Sequence, residues 1–197
     1  MSLARFQSVG RDLFTRGLVS SHGGNLSIRQ GDQLLITRRS SMLGNLEEQD
    51  LLEIGIDKNT RVTPLASTEL RVHRAIYEKT PAQAVVHAHP PHAIALSLTE
   101  RHIVPTDMEG RNLLPRVPVL GWNTRVSPGC LAEAIVEALK EHPVVIIRGH
   151  GSFATGQLLE EAYHYTTVLE ESCRILCLLR SLGVRGAALA SPRKGPA

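Results

Sequence analysis

The feature that most constrains the fold of this chain is an early hairpin in a sequence that otherwise alternates strand-like and helix-like segments. Leu26-Ser27-Ile28 and Leu34-Leu35-Ile36 flank Gly31-Asp32, two apolar, β-prone stretches around a turn pair. Antiparallel pairing is therefore present before any crossover, which argues against a purely parallel sheet. Upstream, Leu3, Phe6, Val9, Leu13 and Phe14 recur at helical spacing, predicting an amphipathic helix over 2–16 that Gly17 ends. Downstream, a short strand falls near 51–56, and Ser67 or Thr68 is expected to cap a helix running to Tyr77 with Glu69 in its first turn. Residues 84–88 predict a strand and Pro90-Pro91 the opening of a helix. A helix over 131–139, a buried strand over 144–147 and a long helix over 158–182 follow. The expected architecture is a mixed α/β sandwich.

At 197 residues the chain suits one domain, expected over 1–190 with 191–197 as a disordered tail. The longest unbroken apolar run, 175–179, is too short to span a bilayer, so no membrane partner is expected. The first residues do not join a basic stretch to a hydrophobic one, so no secretory signal is expected. Three cysteines, an odd number, argue against a disulfide framework and for a reducing compartment, hence a cytoplasmic location. The net charge of +3 is scattered, with no basic run longer than two residues, as in Arg38-Arg39, and one Trp, three Tyr and three Phe offer little stacking surface. Nucleic acid is therefore not the expected partner; a small anionic substrate fits the mild basic excess.

The nine histidines carry the chemistry. His87 and His89, two apart on a strand, project from the same face, which suits two imidazoles on one metal ion such as zinc. His150, between Gly149 and Gly151 after a second buried strand, supplies a third ligand. Three histidines with an open position describe a catalytic rather than a structural zinc site. The competing reading is that His87 and His89 are hydrogen-bonded core or edge residues. His22, His73, His92, His102, His142 and His164 have no nameable partner in the sequence. Glu69 is, on local pattern alone, a carboxylate favoured by the helix dipole. Gly23-Gly24-Asn25-Leu26-Ser27 is either a turn or a nest of backbone N–H groups for phosphate oxygens. Cys130, Cys173 and Cys177 read as packing residues.

Gly24-Asn25-Leu26-Ser27, Ser67-Thr68-Glu69-Leu70 with His73, His87-Ala88-His89-Pro90 and Gly149-His150-Gly151, in that order, resemble the class II aldolase/adducin family. The resemblance implies a three-layer α/β/α sandwich around a mainly antiparallel mixed sheet. It also implies one zinc per chain on His87, His89 and His150, and a homotetramer with sites at subunit interfaces. Another divalent metal is an alternative. Glu69 would move a proton at the carbon next to the substrate carbonyl, and Asn25, Thr37, Ser67 and Thr68 would hold the substrate phosphate. The implied reaction is cleavage of a phosphorylated ketose, such as fuculose 1-phosphate, to dihydroxyacetone phosphate and an aldehyde. A sugar-phosphate 4-epimerase or dehydratase on the same scaffold is the alternative. A non-catalytic adducin-like interaction domain ranks last, because adducin-like relatives lack the zinc histidines and this chain has all three.

Two departures from the family pattern stand out. Relatives continue the second hairpin strand as Thr-Pro-x-Gly, whereas here it reads Thr37-Arg38-Arg39-Ser40, whose arginines are themselves suited to phosphate. Several family aldolases also use a C-terminal tyrosine from a neighbouring subunit, and no tyrosine follows Tyr165 here. Asp107 and Glu109 are then the candidates for protonating the aldehyde oxygen.

Overall fold

The hairpin around Gly31-Asp32 forms as expected and seeds one large sheet. The computed structural model describes residues 2–122 and 128–184. In chain order its elements are α1 (Ser2–Thr15), β1 (Asn25–Gln30), β2 (Gln33–Thr37), β3 (Leu51–Gly55), α2 (Leu70–Lys79), β4 (Ala84–Ala88) and α3 (Pro91–Ser97). Then come β5 (His102–Ile103), α4 (Met108–Leu113), β6 (Val117–Leu120), α5 (Pro128–Leu139), β7 (Val144–Ile147), β8 (Gly151–Gly156) and α6 (Leu159–Ser181). Strand order is β3-β2-β1-β4-β8-β7-β6-β5. Among the described residues only β6 and β7 pair in parallel; the other neighbours are antiparallel.

Two apolar clusters, one on each face of the sheet, make the chain a three-layer α/β/α sandwich. Phe6, Val9 and Leu13 of α1, Ala93 and Leu96 of α3, and Leu169, Cys173 and Leu176 of α6 pack with Leu26, Val86, Ile146 and Ala154. Val72, Ile76 and Tyr77 of α2 and Ile135 and Val136 of α5 pack with Ile36, Val85, Val145 and Phe153 on the opposite face. β4 lies between these layers with all five residues buried, which is why it reads as small and β-branched rather than alternating. Phe6 and Leu13 are fully buried, each worth about 1.5–3 kcal/mol.

Three differences from expectation bear on the site. β8 carries little strand signal in Gly-Ser-Phe-Ala-Thr-Gly, yet β4 and β7 pair with it on both sides, and His150 sits in the turn that joins β7 to β8. β5, α4 and β6 also lay outside the sequence reading. Neither Ser67 nor Thr68 caps α2: Glu69 occupies the N-cap position with no capping bond from its side chain, and Ser67 Oγ accepts the Glu69 N–H at 3.2 Å. No helix among the described residues is long and apolar enough to cross a membrane. The expected tail, 191–197, lies outside the described residues.

Candidate active site

One end of the sheet gathers the start of β1, the end of β2, the end of β4, the β7–β8 turn and the start of α2. Strand alternation turns Val85 and His87 toward the α2 layer, with His89 two residues on. The register sets Asn25 beside His87 on one side and Phe153 beside it on the other. The His87 ring stacks on Phe153 with centroids 4.3 Å apart, and its Nδ1 donates to the Ser152 carbonyl at 2.9 Å. That bond places the ring proton on Nδ1 and leaves the Nε2 lone pair facing His89 Nε2 at 3.1 Å.

Ring centroids are 4.9 Å apart for His87–His89, 5.0 Å for His87–His150 and 5.4 Å for His89–His150. One ligand nitrogen from each lies within 4.8 Å of the others, so the three can hold a metal ion. Two bonds of 2.0–2.1 Å at a tetrahedral angle span about 3.3–3.4 Å, close to the His87–His89 separation. The cradle depends on missing side chains. A Cβ on Gly151 would stand 2.5 Å from the Ala88 carbonyl and 2.7 Å from His89 Cδ2; one on Gly24, whose φ is 75°, would stand 2.8 Å from the His87 carbonyl. Burial first, then the neighbouring imidazoles, holds His87 far below the usual histidine range, and burial with His150 lowers His89. Both shifts favour the neutral ring that ligates metal.

Beside the triad opens a cavity of about 260 Å³, lined by Asn25, Ser67, Thr68 and Glu69 among others. Glu69 is half-buried and, as the uncapped N-cap residue, has its carboxylate available to the cavity. Arg38, Arg39 and His22 also line the cavity, and among the described residues neither guanidinium has a carboxylate partner. Ser40, next in the chain, holds a left-handed turn at φ 60°, at the place where the family pattern has glycine. Thr37 is not on the cavity wall: it is fully buried and its hydroxyl accepts the Leu26 N–H at 3.1 Å. Asp107 Oδ1 caps α4 through the Gly110 N–H at 2.7 Å, while Glu109 is exposed and 3.9 Å from His164 Nε2. Neither acid lines this cavity.

Sequence reasoning passed over His22 and His73. His73 is fully buried between Ser27 and Asn25, bonded to both. Its signal was present in two spacings, His73 and Tyr77 one helical turn apart and Asn25 and Ser27 alternating on a strand. A larger cavity, about 390 Å³ and lined by Leu96, Ile103, Val104, Pro105 and Leu176 with charged residues at its edge, contains none of the triad.

Comparison with known proteins finds relatives along most of the chain. The chain is 30% identical over 179 residues to an L-fuculose phosphate aldolase of Methanocaldococcus jannaschii, covering 90% of this chain and 97% of that one. It is 32% identical over 179 residues to a methylthioribulose-1-phosphate dehydratase of Acidiphilium cryptum, covering 83% of each. The crystal structure of an L-fuculose-1-phosphate aldolase from Thermus thermophilus superposes with a TM-score of 0.86 at 40% identity, over 93% of this chain and 96% of that one. The family model for the class II aldolase and adducin N-terminal domain matches residues 4–177, and the chain belongs to that family.

Proposed function

We propose that the chain is a zinc-dependent lyase that cleaves a phosphorylated ketose, such as fuculose 1-phosphate, into dihydroxyacetone phosphate and an aldehyde. The observation that carries this reading is the joining of three imidazoles able to hold one cation, the uncapped Glu69 carboxylate and two guanidiniums that have no carboxylate partner among the described residues around one cavity. His87, His89 and His150 would hold the cation, which when bound supplies Lewis acidity at a substrate carbonyl. Glu69 takes and returns the proton at the carbon next to that carbonyl. Asn25, Ser67 and Thr68, with Arg38 and Arg39, bind the phosphate through charge-assisted hydrogen bonds. Thr37 contributes by fixing the β1–β2 corner rather than by touching the anion. The donor to the aldehyde oxygen is Glu109 or Asp107 of a neighbouring subunit, since neither reaches the cavity of its own chain; a homotetramer in the cytoplasm completes the proposal.

The second reading is a dehydratase or 4-epimerase using the same residues, supported by the dehydratase named among the relatives. Product analysis on a panel of phosphorylated pentoses and hexoses separates them. The lyase releases dihydroxyacetone phosphate and an aldehyde, a dehydratase releases water from an intact carbon chain, and an epimerase returns the inverted sugar.

A further inference from the structure

His73 is completely buried, and nothing in the chemistry above uses it. It stands on α2 one turn before Tyr77, and β1 turns Asn25 and Ser27 toward the pair. The four side chains meet in single file. Tyr77 Oη lies 2.7 Å from Ser27 Oγ, Ser27 Oγ lies 2.6 Å from His73 Nδ1, and His73 Nε2 lies 2.5 Å from Asn25 Oδ1.

The end of the file sets the direction of every bond in it. An amide oxygen only accepts, so His73 Nε2 carries the ring proton and Nδ1 is left as an acceptor. Nδ1 then takes the Ser27 hydroxyl proton, and the Ser27 oxygen accepts from the Tyr77 phenol. Burial keeps this alternation intact, because it pulls the His73 pKa down to about 3 and pushes the Tyr77 phenol up. A second ring proton, which would clash with the Ser27 donor, is thereby excluded.

An amide presents either its oxygen or its NH2, and the two are opposite in what they attract. With Oδ1 engaged by His73, the NH2 of Asn25 is the end left for the cavity, and among the described residues nothing takes it. We propose that His73 is a positioning residue: by donating from Nε2 to Asn25 Oδ1 it locks the Asn25 amide with its NH2 toward the cavity, as a donor to an anionic oxygen of the substrate. The proposal rests on the phosphate reading of the cavity. An amide free to rotate would present its oxygen to the anion part of the time and repel it.

The test uses the metal-loaded protein, inorganic phosphate as the probe, and two variants. His73→Gln keeps an N–H donor within reach of Asn25 Oδ1; His73→Leu keeps the bulk and removes the donor. Phosphate affinity by calorimetry should stay within about threefold in His73→Gln and fall by about tenfold or more in His73→Leu, with metal content equal in both. Equal losses in the two variants, or none in His73→Leu, would overturn the proposal. Nitrogen-15 spectra of the wild-type ring provide a second measurement, independent of function: a protonated Nε2 and a bare Nδ1 are expected, and a proton on Nδ1 overturns the relay. A wild-type protein that binds no phosphate while showing the expected tautomer would overturn the anion role of Asn25, and with it the phosphate reading of the cavity.

Discussion

His87 Nε2 and His89 Nε2 face each other at 3.1 Å while the other nitrogen of His87 is tied to the Ser152 carbonyl. Two imidazoles brought so close, with one tautomer set by a backbone acceptor, form an arrangement that a shared cation would stabilise. Elemental analysis after zinc incubation should find about one metal per chain in the wild type. His89→Ala should lose it along with turnover, because two imidazoles bind divalent ions far more weakly than three. Wild-type protein free of transition metal after that incubation contradicts the assignment.

The Ser40 turn offers a stability test. A residue with a Cβ at φ 60° is strained by about 1–2 kcal/mol, and glycine relieves this at some entropic expense in the unfolded chain. Ser40→Gly should therefore raise unfolding free energy in urea by about 0.5–1 kcal/mol. A destabilised variant would show that the serine hydroxyl outweighs the backbone strain.

Phosphate recognition is checked by comparing a phosphorylated substrate with its dephosphorylated analogue. Asn25→Ala and Arg39→Ala should each raise KM for the first by about tenfold or more, since a hydrogen bond to a charged group is worth about 1.5–3 kcal/mol, and barely move KM for the second. Equal effects on both substrates would assign these residues to the fold alone.

His73 also gives the protein a pH-dependent stability. Unfolded, its imidazole takes a proton below about 6.5; folded, burial delays this until about 3. Between those values the unfolded state binds more protons, so stability is fully present above about 6.5 and lost as pH falls toward 3. The loss from this one group reaches about 2 kcal/mol at pH 5. Tyr77 and His87 face the same pocket but remain in His73→Gln, so the difference between wild type and that variant isolates the effect. Denaturant titrations at pH 7.5 and 5 should show a steeper fall for the wild type, and parallel falls would count against it.

What could be read from the sequence follows what lies within one element. The β1–β2 hairpin and β4 were visible because turn residues and apolar runs are local signals, and His87-x-His89 was visible because strand alternation is one too. β8 was not, since two glycines and small residues become a strand only between β4 and β7. Thr37 was assigned to phosphate by family pattern, whereas pairing across the hairpin gives its hydroxyl to Leu26. The cap of α2 failed similarly: Ser67 and Thr68 lie two residues and one residue ahead of the capping position, which leaves Glu69 at the helix entrance with an uncommitted carboxylate. His73 needed both halves of a contact between α2 and β1, and neither half alone names its partner.

The central claim is that Glu69 moves a proton at the carbon next to a carbonyl within the triad's cavity, and exchange of the α-hydrogen of dihydroxyacetone phosphate with deuterated water measures it without any aldehyde. The metal-loaded wild type should exchange that hydrogen, observed as loss of its proton NMR signal, and Glu69→Gln should do so about 10²–10⁴-fold more slowly with metal and fold intact. A Glu69→Gln protein that exchanges at the wild-type rate, or a metal-loaded wild type that does not exchange at all, would contradict the account.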